Sequence, residues 1–492
     1  MTDFRHRITS SKHKPLPGLL RLRAAVTALG AMLTLLWACA VGPEFQKPQP
    51  ELPAEWAGAS EAVQTPAAHQ DAALAAWWAL FGDMTLEDLA NRALAANLDL
   101  RQAQARLRQA RAARGVAAGG LGPAVEASGA QRYSRSAAAG TSDSTSDQYQ
   151  AGFDASWEID LFGGRRRAVE AADADLQAAV EAHRDARVSL IAEVARSYIN
   201  LRTLQQQIAI TRQNLGAQQH TAELTRQRFE GGFASGLDVA NAQAQVATTA
   251  AQLPSLESDV RQAIHSLSVL LGAAPGMLTA ELSPVGPIPA APPGVPAGVP
   301  SDLLRRRADI RSAEARIHAA TARIGVATAE LFPTFTLSGS LGYRSTDFTS
   351  WFDWANRFWS LGPSVRWRLF ETGRIRAGVE LQKALQEQEV IAYQQIVLNA
   401  LQEVENALIA AVREQDRRES LLAAVAANRR AVRLAEMLYT EGQTDFLNVL
   451  QAQRSLYAAE EALAQSSRNV SIQLVALYKA LGGGWDSIQQ TE

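Results

Sequence analysis

The sequence predicts a mainly α-helical protein with membrane β-strands: a long α-helical coiled-coil barrel joined to a β-barrel that trimerisation completes, with four strands per chain and an internal duplication. Three observations predict it. Motifs recur at a constant offset of 210 residues, two stretches of more than sixty residues lack proline, and short segments alternate between apolar and charged residues.

The 492-residue chain opens with a basic stretch and an apolar run, Ala24 to Ala38, that ends at Cys39. The run is too short for a bilayer that needs about 20 residues, so 1–38 reads as a secretory signal peptide. The 48 basic and 50 acidic residues give a net charge of −2, which excludes a nucleic-acid-binding surplus. Removing residues 1–38 takes away six basic and one acidic residue, leaving −7. Cys39 is the only cysteine, so neither a disulfide framework nor a thiolate metal cluster is available.

Residues 39–83 form an N-terminal segment, 84–272 a first repeat, 273–300 a linker, 301–484 a second repeat and 485–492 a tail. The linker holds eight of the 19 prolines. The duplication sets Asp99-Leu-Arg-Gln-Ala-Gln-Ala-Arg106 against Asp309-Ile-Arg-Ser-Ala-Glu-Ala-Arg316, Trp157 against Trp367, Gly232 against Gly442, and Leu271-Gly272 against Leu481-Gly482. Each half reads as helix, strand pair, very long helix, shorter helix. Between Arg165 and Glu230 there is one glycine and no proline, and between Val379 and Glu441 neither, so these helices reach roughly 100 Å at about 1.5 Å per residue. Val194, Leu201, Ile208 and Leu215 recur every seven residues, as a coiled-coil seam requires. Pro254 removes a backbone donor where the second half has Ala464, which predicts a kink in the first half only.

Phe153 to Leu161, Phe335 to Tyr343 and Trp359 to Leu369 alternate between apolar and polar residues. Segments of about ten residues fit tilted membrane strands. Asp154, Glu158, Asp160, Arg344, Arg366 and Arg368 fall on the polar side and are assigned to a barrel lumen, while Trp351, Phe352, Trp354 and Phe358 suit an interfacial belt. Four strands cannot close a barrel, since the smallest have about eight, and open edges are forbidden in lipid. Two chains would fill the interior with side chains, whereas three leave room for water, and the lumen charges favour three.

Leu36-Trp-Ala-Cys39 resembles the bacterial lipobox, and the chain at large resembles the TolC-type outer-membrane efflux family, in its lipoprotein branch of OprM- and NodT-like proteins. The likeness is carried by Cys39-Ala-Val-Gly-Pro-Glu-Phe-Gln-Lys-Pro48, Trp77-Trp-Ala-Leu-Phe-Gly-Asp83, Pro300-Ser-Asp-Leu-Leu-Arg-Arg-Arg-Ala-Asp-Ile-Arg311, Leu331-Phe-Pro333, Leu447-Asn-Val-Leu-Gln-Ala-Gln453 and Leu481-Gly-Gly-Gly-Trp485. It implies a lipid on Cys39 and delivery to the outer membrane. It also implies a homotrimer that conducts substrates passively, a periplasmic adaptor protein, and an inner-membrane transporter of the resistance-nodulation-division type. A periplasmic coiled-coil adaptor is the alternative reading, and the duplication and alternating strands speak against it.

In TolC-like proteins aspartates ring a constriction at the periplasmic end. Aligned from Gly442, those positions fall on neutral Asn448 and Gln451, which leaves Asp445 and Glu441 in the same turn, with Asp238 taken as the counterpart of Asp445. Gly231, Gly232 and Gly442 suit the left-handed C-caps of the long helices. Ser235 precedes Asp238 as in a capping box, and Thr444 or Asp445 opens the matching helix. The seven histidines lack metal-ligand spacing, and no nucleophile elbow or phosphate loop occurs, so no enzyme, metal or cofactor is expected beyond the covalent lipid. Replacing Cys39 by serine is expected to abolish incorporation of radiolabelled palmitate; label retained on that variant would exclude the lipid site.

Overall fold

The computed structural model describes residues 40–57, 74–136, 144–290 and 300–485. Cys39 and the signal peptide lie outside the described residues, as does most of the C-terminal tail. In chain order the main elements are α1 (Met84–Ala96), α2 (Leu98–Gly119), β1 (Ala124–Ser136), β2 (Ser144–Ile159), α3 (Gly164–Glu230), α4 (Gly236–Ala250) and α5 (Gln252–Leu270). They continue with α6 (Ala308–Ala329), β3 (Thr334–Ser345), β4 (Arg357–Arg366), α7 (Thr372–Thr440) and α8 (Phe446–Ala480). The 210-residue offset carries α2 onto α6, and α4 with α5 onto α8, residue for residue.

The expected kink appears as a break. Ala251 separates α4 from α5, which places Pro254 in the first turn of α5, where its missing N–H costs nothing. Without a proline, α8 runs unbroken for 35 residues.

The described residues fall into two compact units, one within 1–46, 112–174 and 317–387, the other within 47–111, 175–316 and 388–492. The first holds one antiparallel sheet in the order β1-β2-β3-β4. β1 carries little sequence signal, because Val125 and Tyr133 are its only large apolar side chains. β2 begins at Ser144, nine residues before the alternation becomes obvious, and both β2 and β4 end before their alternation does, at Ile159 and Arg366. Trp157 Nε1 donates to Leu121 O at 2.9 Å, and its repeat Trp367 donates to Leu331 O at 3.1 Å, tying both strand ends to the turns that precede β1 and β3. Below the sheet Phe162 stacks on Phe332, with ring centroids 4.6 Å apart. Phe45 stacks on His318 at 4.5 Å, while the N-terminal segment adds the bonds Val41 N to Phe162 O and Arg167 Nε to Val41 O.

The second unit holds a core of Trp77, Leu86, Tyr198, Ile199, Leu267 and Tyr478, all fully buried. Val194, Leu201 and Ile208 of the heptad seam are buried on α3. Trp77 stacks on Tyr478 at 5.6 Å, and burial pushes the Tyr478 hydroxyl up to about 12. Asp83 caps α1 by accepting from Leu86 N and also accepts from the Tyr198 hydroxyl. The linker is held along the helices, with Pro284 O accepting from Arg202 and Pro289 O from Ser471. Where α5 and α8 end, Gly272 and Gly482 take the left-handed conformation. Beside those ends Asn97 donates to Leu270 O at 2.9 Å, and its counterpart Arg307 donates to Ala480 O at 3.0 Å. Arg307 also binds Asp309 and Glu403, each at 2.7 Å. Burial works against its charge, but the hydrogen bonds and charges of Asp309 and Glu403 outweigh that and raise its pKa. Substituting Arg307 by methionine removes these charge-assisted bonds and is expected to cost about 2–3 kcal/mol, read as a lower thermal unfolding midpoint in detergent; an unchanged midpoint would reject the role.

Candidate functional site

Two regions collect the sequence-predicted site residues, the sheet and the helix tips. In the sheet, directly paired residues share a face. Ala155, Gly339 and Leu361 lie on one row, and Phe153, Leu341 and Trp359 on the next. Trp359 is 74% exposed, Leu361 70% and Phe153 60%, a broad apolar face that no described residue covers. The opposite face is polar. Glu126, Asp154, Ser340 and Ser360 form one row across all four strands, knit by Ser128 Oγ donating to Asp154 and by the Ser340–Ser360 hydroxyl pair at 2.7 Å. Arg344 donates to Gln150 at 3.1 Å on the same face.

Asp154 and Arg344 therefore sit on the polar face, and Glu158 and Arg366 at its helix-proximal rim. Asp160 and Arg368 do not belong to it. The strands stop first, and Asp160 accepts from the backbone of Arg165 and Arg166, satisfying free N–H groups at the start of α3. Arg368 pairs with Glu330 at 3.5 Å, as Glu158 pairs with Arg165 at 2.7 Å. Phe358 leaves the expected belt as well. It is opposite Gly342 on the polar face, where Arg344 lies 4.8 Å from its ring. Trp351 and Phe352 stack at 4.9 Å beside Tyr149 and Tyr343.

At the tips α3 and α7 end in the same geometry. Gly232 N donates to Phe229 O and Phe233 N to Arg228 O; 210 residues on, Gly442 N donates to Tyr439 O and Gln443 N to Leu438 O. Both glycines have positive φ, 81° and 75°, so these are Schellman caps that only glycine adopts without strain. The next helix starts differently in each half. Ser235 accepts from Asp238 N at 3.1 Å while Asp238 accepts from Ser235 N at 3.0 Å, a complete capping box. In the second half Asp445 is the N-cap but its side chain makes no capping bond. Asp445 thus corresponds to Ser235, and Asp238 corresponds to Asn448, which corrects the pairing of Asp238 with Asp445. Asn448 donates to Thr444 at 2.7 Å, Gln451 to Ser455 at 3.4 Å, and Glu441, Asp445, Asn448 and Gln451 are all exposed.

Sequence reasoning missed what joins the tips. Arg228 donates to Thr440 O at 3.1 Å with its guanidinium 4.9 Å from the Tyr439 ring, and the Tyr439 hydroxyl donates to Thr225 at 3.2 Å. Tyr439, Phe446, Val449, Leu450 and Ala242 form a small buried cluster beneath. No periodic signal marks Arg228 among the arginines of α3. Phe233 and Leu237, 78% and 69% exposed, leave apolar groups on the first tip turn. Among the described residues no group of three His, Cys, Asp or Glu could hold a metal ion, and no helix is long and apolar enough to cross a membrane.

The family described as Outer membrane efflux protein matches residues 89–273 and 299–483, two blocks set apart by the same 210 residues. Among relatives, Nodulation protein T of Rhizobium leguminosarum bv. viciae is 35% identical over 471 residues, 94% of each chain. Outer membrane protein OprJ of Pseudomonas aeruginosa is 33% identical over 467 residues, covering 94% of this chain and 96% of its own. Among solved structures, the outer-membrane channel OprN superposes with a TM-score of 0.86 at 38% identity, over 91% of this chain and 100% of that one. The open state of the Neisseria gonorrhoeae MtrE outer membrane channel does so with a TM-score of 0.79 at 28% identity, over 91% of this chain and 99% of that one. With both repeats matched and relatives alike along nearly their whole length, this chain belongs to the outer membrane efflux protein family.

Proposed function

We propose that the protein is the outer-membrane exit duct of a tripartite efflux assembly, a passive conduit rather than an enzyme. The carrying observation is the four-stranded sheet, apolar on one face and polar on the other, with both edge strands unpaired among the described residues. An apolar face this open belongs against lipid, and a bilayer supplies no partner for the edge N–H and C=O groups. Three copies give twelve strands and a barrel wide enough for water, with Asp154 and Arg344 on its lumen side. The long helices α3 and α7 extend into the periplasm, the lipid on Cys39 adds an anchor, and an adaptor meets the tips where Phe233 and Leu237 are exposed. An inner-membrane transporter of the resistance-nodulation-division type then supplies the energy, as membership of an efflux family supports.

The carboxylate of Asp445, uncommitted to the helix cap, carries the cation preference of the tip, because three copies around an axis hold three like charges together. Native mass spectrometry of protein extracted from outer membranes is expected to give three chains beginning at Cys39 with added lipid mass; any other stoichiometry removes the twelve-stranded barrel. In planar bilayers Asp445→Asn channels are expected to lose a several-fold part of the potassium-over-chloride preference, and equal reversal potentials for variant and parent would reject the selectivity role.

A further inference from the structure

Where the strands give way to the helices, the first compact unit encloses a cavity of about 280 Å³. Its wall is drawn from the end of β2, the first turns of α3, the last turn of α6, the start of β3 and the end of β4. One side is apolar, made by the stacked rings of Phe162 and Phe332 together with Pro333 and Val326. The other is polar. Glu158 pairs with Thr336 and Thr336 with Ser364; two residues on, Thr334 pairs with Arg366, so Glu158, Thr334 and Arg366 reach the cavity from the same polar face that carries Asp154 and Arg344.

Six charged residues line the cavity, and five of them are committed. Arg165 pairs with Glu158 at 2.7 Å and Arg368 with Glu330 at 3.5 Å, while Asp160 accepts from the backbone of Arg165 and Arg166. The sixth, Arg366, is exposed, and its guanidinium makes no ion pair or hydrogen bond among the described residues. Because β3 stands between β4 and β2, the backbone of Arg366 lies roughly 10 Å from that of Glu158, at about 4.8 Å per strand. Its counterpart in the first repeat is Ser156, so the fold does not call for a cation at this position in both halves. A free guanidinium beside stacked rings matches an anion with a flat apolar body: the guanidinium offers a fork of charge-assisted hydrogen bonds and the rings cover the body. The volume falls just under the roughly 300–1,000 Å³ of drug-sized sites, which suits a two-ring molecule or one end of a larger one.

We propose that this cavity binds amphiphilic organic anions and is a resting place for cargo inside the duct: Arg366 holds the carboxylate or sulfonate, and Phe162, Phe332 and Pro333 cover the apolar body. Arg165 and Arg368 stay with their carboxylates, so the site offers one net positive charge, and a cation of the same shape is disfavoured. Binding is modest because Arg366 is exposed, as a conduit requires of any site that its cargo must also leave. The inference rests on the duct reading above, since only a water-filled lumen brings cargo to the polar face, and it adds a ligand class and the residues that take it.

Full-length protein in a non-ionic detergent, titrated with naphthalene-2-sulfonate by isothermal titration calorimetry against detergent alone, is expected to show saturable binding of one molecule per chain. Arg366→Gln is expected to weaken that binding about tenfold or more, the loss of a charge-assisted hydrogen bond, and Phe332→Ala to weaken it severalfold. Arg132→Gln, elsewhere on the polar face, is expected to leave it unchanged. Uncharged 2-naphthol and inorganic sulfate, which each lack one half of the match, are expected to bind about tenfold more weakly than the naphthalenesulfonate. No saturable binding, or equal affinity of Arg366→Gln and parent, in protein that is trimeric by native mass spectrometry and conducts ions in planar bilayers would overturn the site and leave the duct standing. A loss with Arg132→Gln as large as with Arg366→Gln would overturn it in favour of a diffuse attraction of anions by the whole face. Binding that depends on Arg366 in protein that neither trimerises nor conducts would overturn the duct, and the cargo role with it.

Discussion

Every backbone polar group placed in hydrocarbon must be hydrogen-bonded within the protein, and this constraint decides what the chain can be. Four strands satisfy it in their interior and fail it at both edges, where the 13 residues of β1 and the ten of β4 each leave one side of the ladder unpaired. The exposed apolar face and the polar row behind it are the side-chain expression of the same demand, since one face must meet lipid and the other water. Closure by further copies results from the edges, and long helices rooted at the strand ends result from the need to reach a partner across an aqueous compartment.

Duplication supplies that closure economically, and the halves then diverge where a repeat has a different neighbour. Asn97 and Arg307 do the same work at the helix ends, each donating to a terminal carbonyl, but Arg307 adds ion pairs to Asp309 and Glu403 that an asparagine cannot make. At the base of the sheet Glu158 is matched by Arg368, and each takes a partner of opposite sign from its own half, Arg165 and Glu330. The charge is exchanged but the tie is kept. Pro254 shows the same freedom in the backbone, because a break at Ala251 moves the proline to a first turn that tolerates it.

The repeat, the long helices, the Schellman glycines and the Ser235 capping box were legible because each rests on local rules: absence of proline, a residue able to take positive φ, a spacing of three. The strand limits were less so. Alternation continues through Asp160 and Arg368 after the ladder has ended, and sequence period alone cannot tell a lumen carboxylate from one that caps α3. β1 hid for the opposite reason, being built mostly of alanine, serine and glycine, whose small side chains carry no periodic hydrophobic signal. Arg228, Tyr439 and Thr225 were illegible altogether, since their contact joins residues more than two hundred positions apart.

The tips show how one cap can serve two purposes. Both long helices must turn back within a few residues, and the Schellman geometry with its glycine is common to both. The start of the next helix is free to differ, because side chains, backbone or water can each serve its free N–H groups. In the first half Asp238 is consumed by that need, its carboxylate accepting from both the Ser235 backbone and hydroxyl. In the second half the backbone carbonyl of Asp445 accepts from Asn448 N, Asn448 turns its own amide to Thr444, and the Asp445 carboxylate stays in water. A neutral residue at 448 therefore does not discharge the turn. It moves the free negative charge three residues back, to the N-cap, where the helix dipole stabilises a carboxylate and water can still reach it.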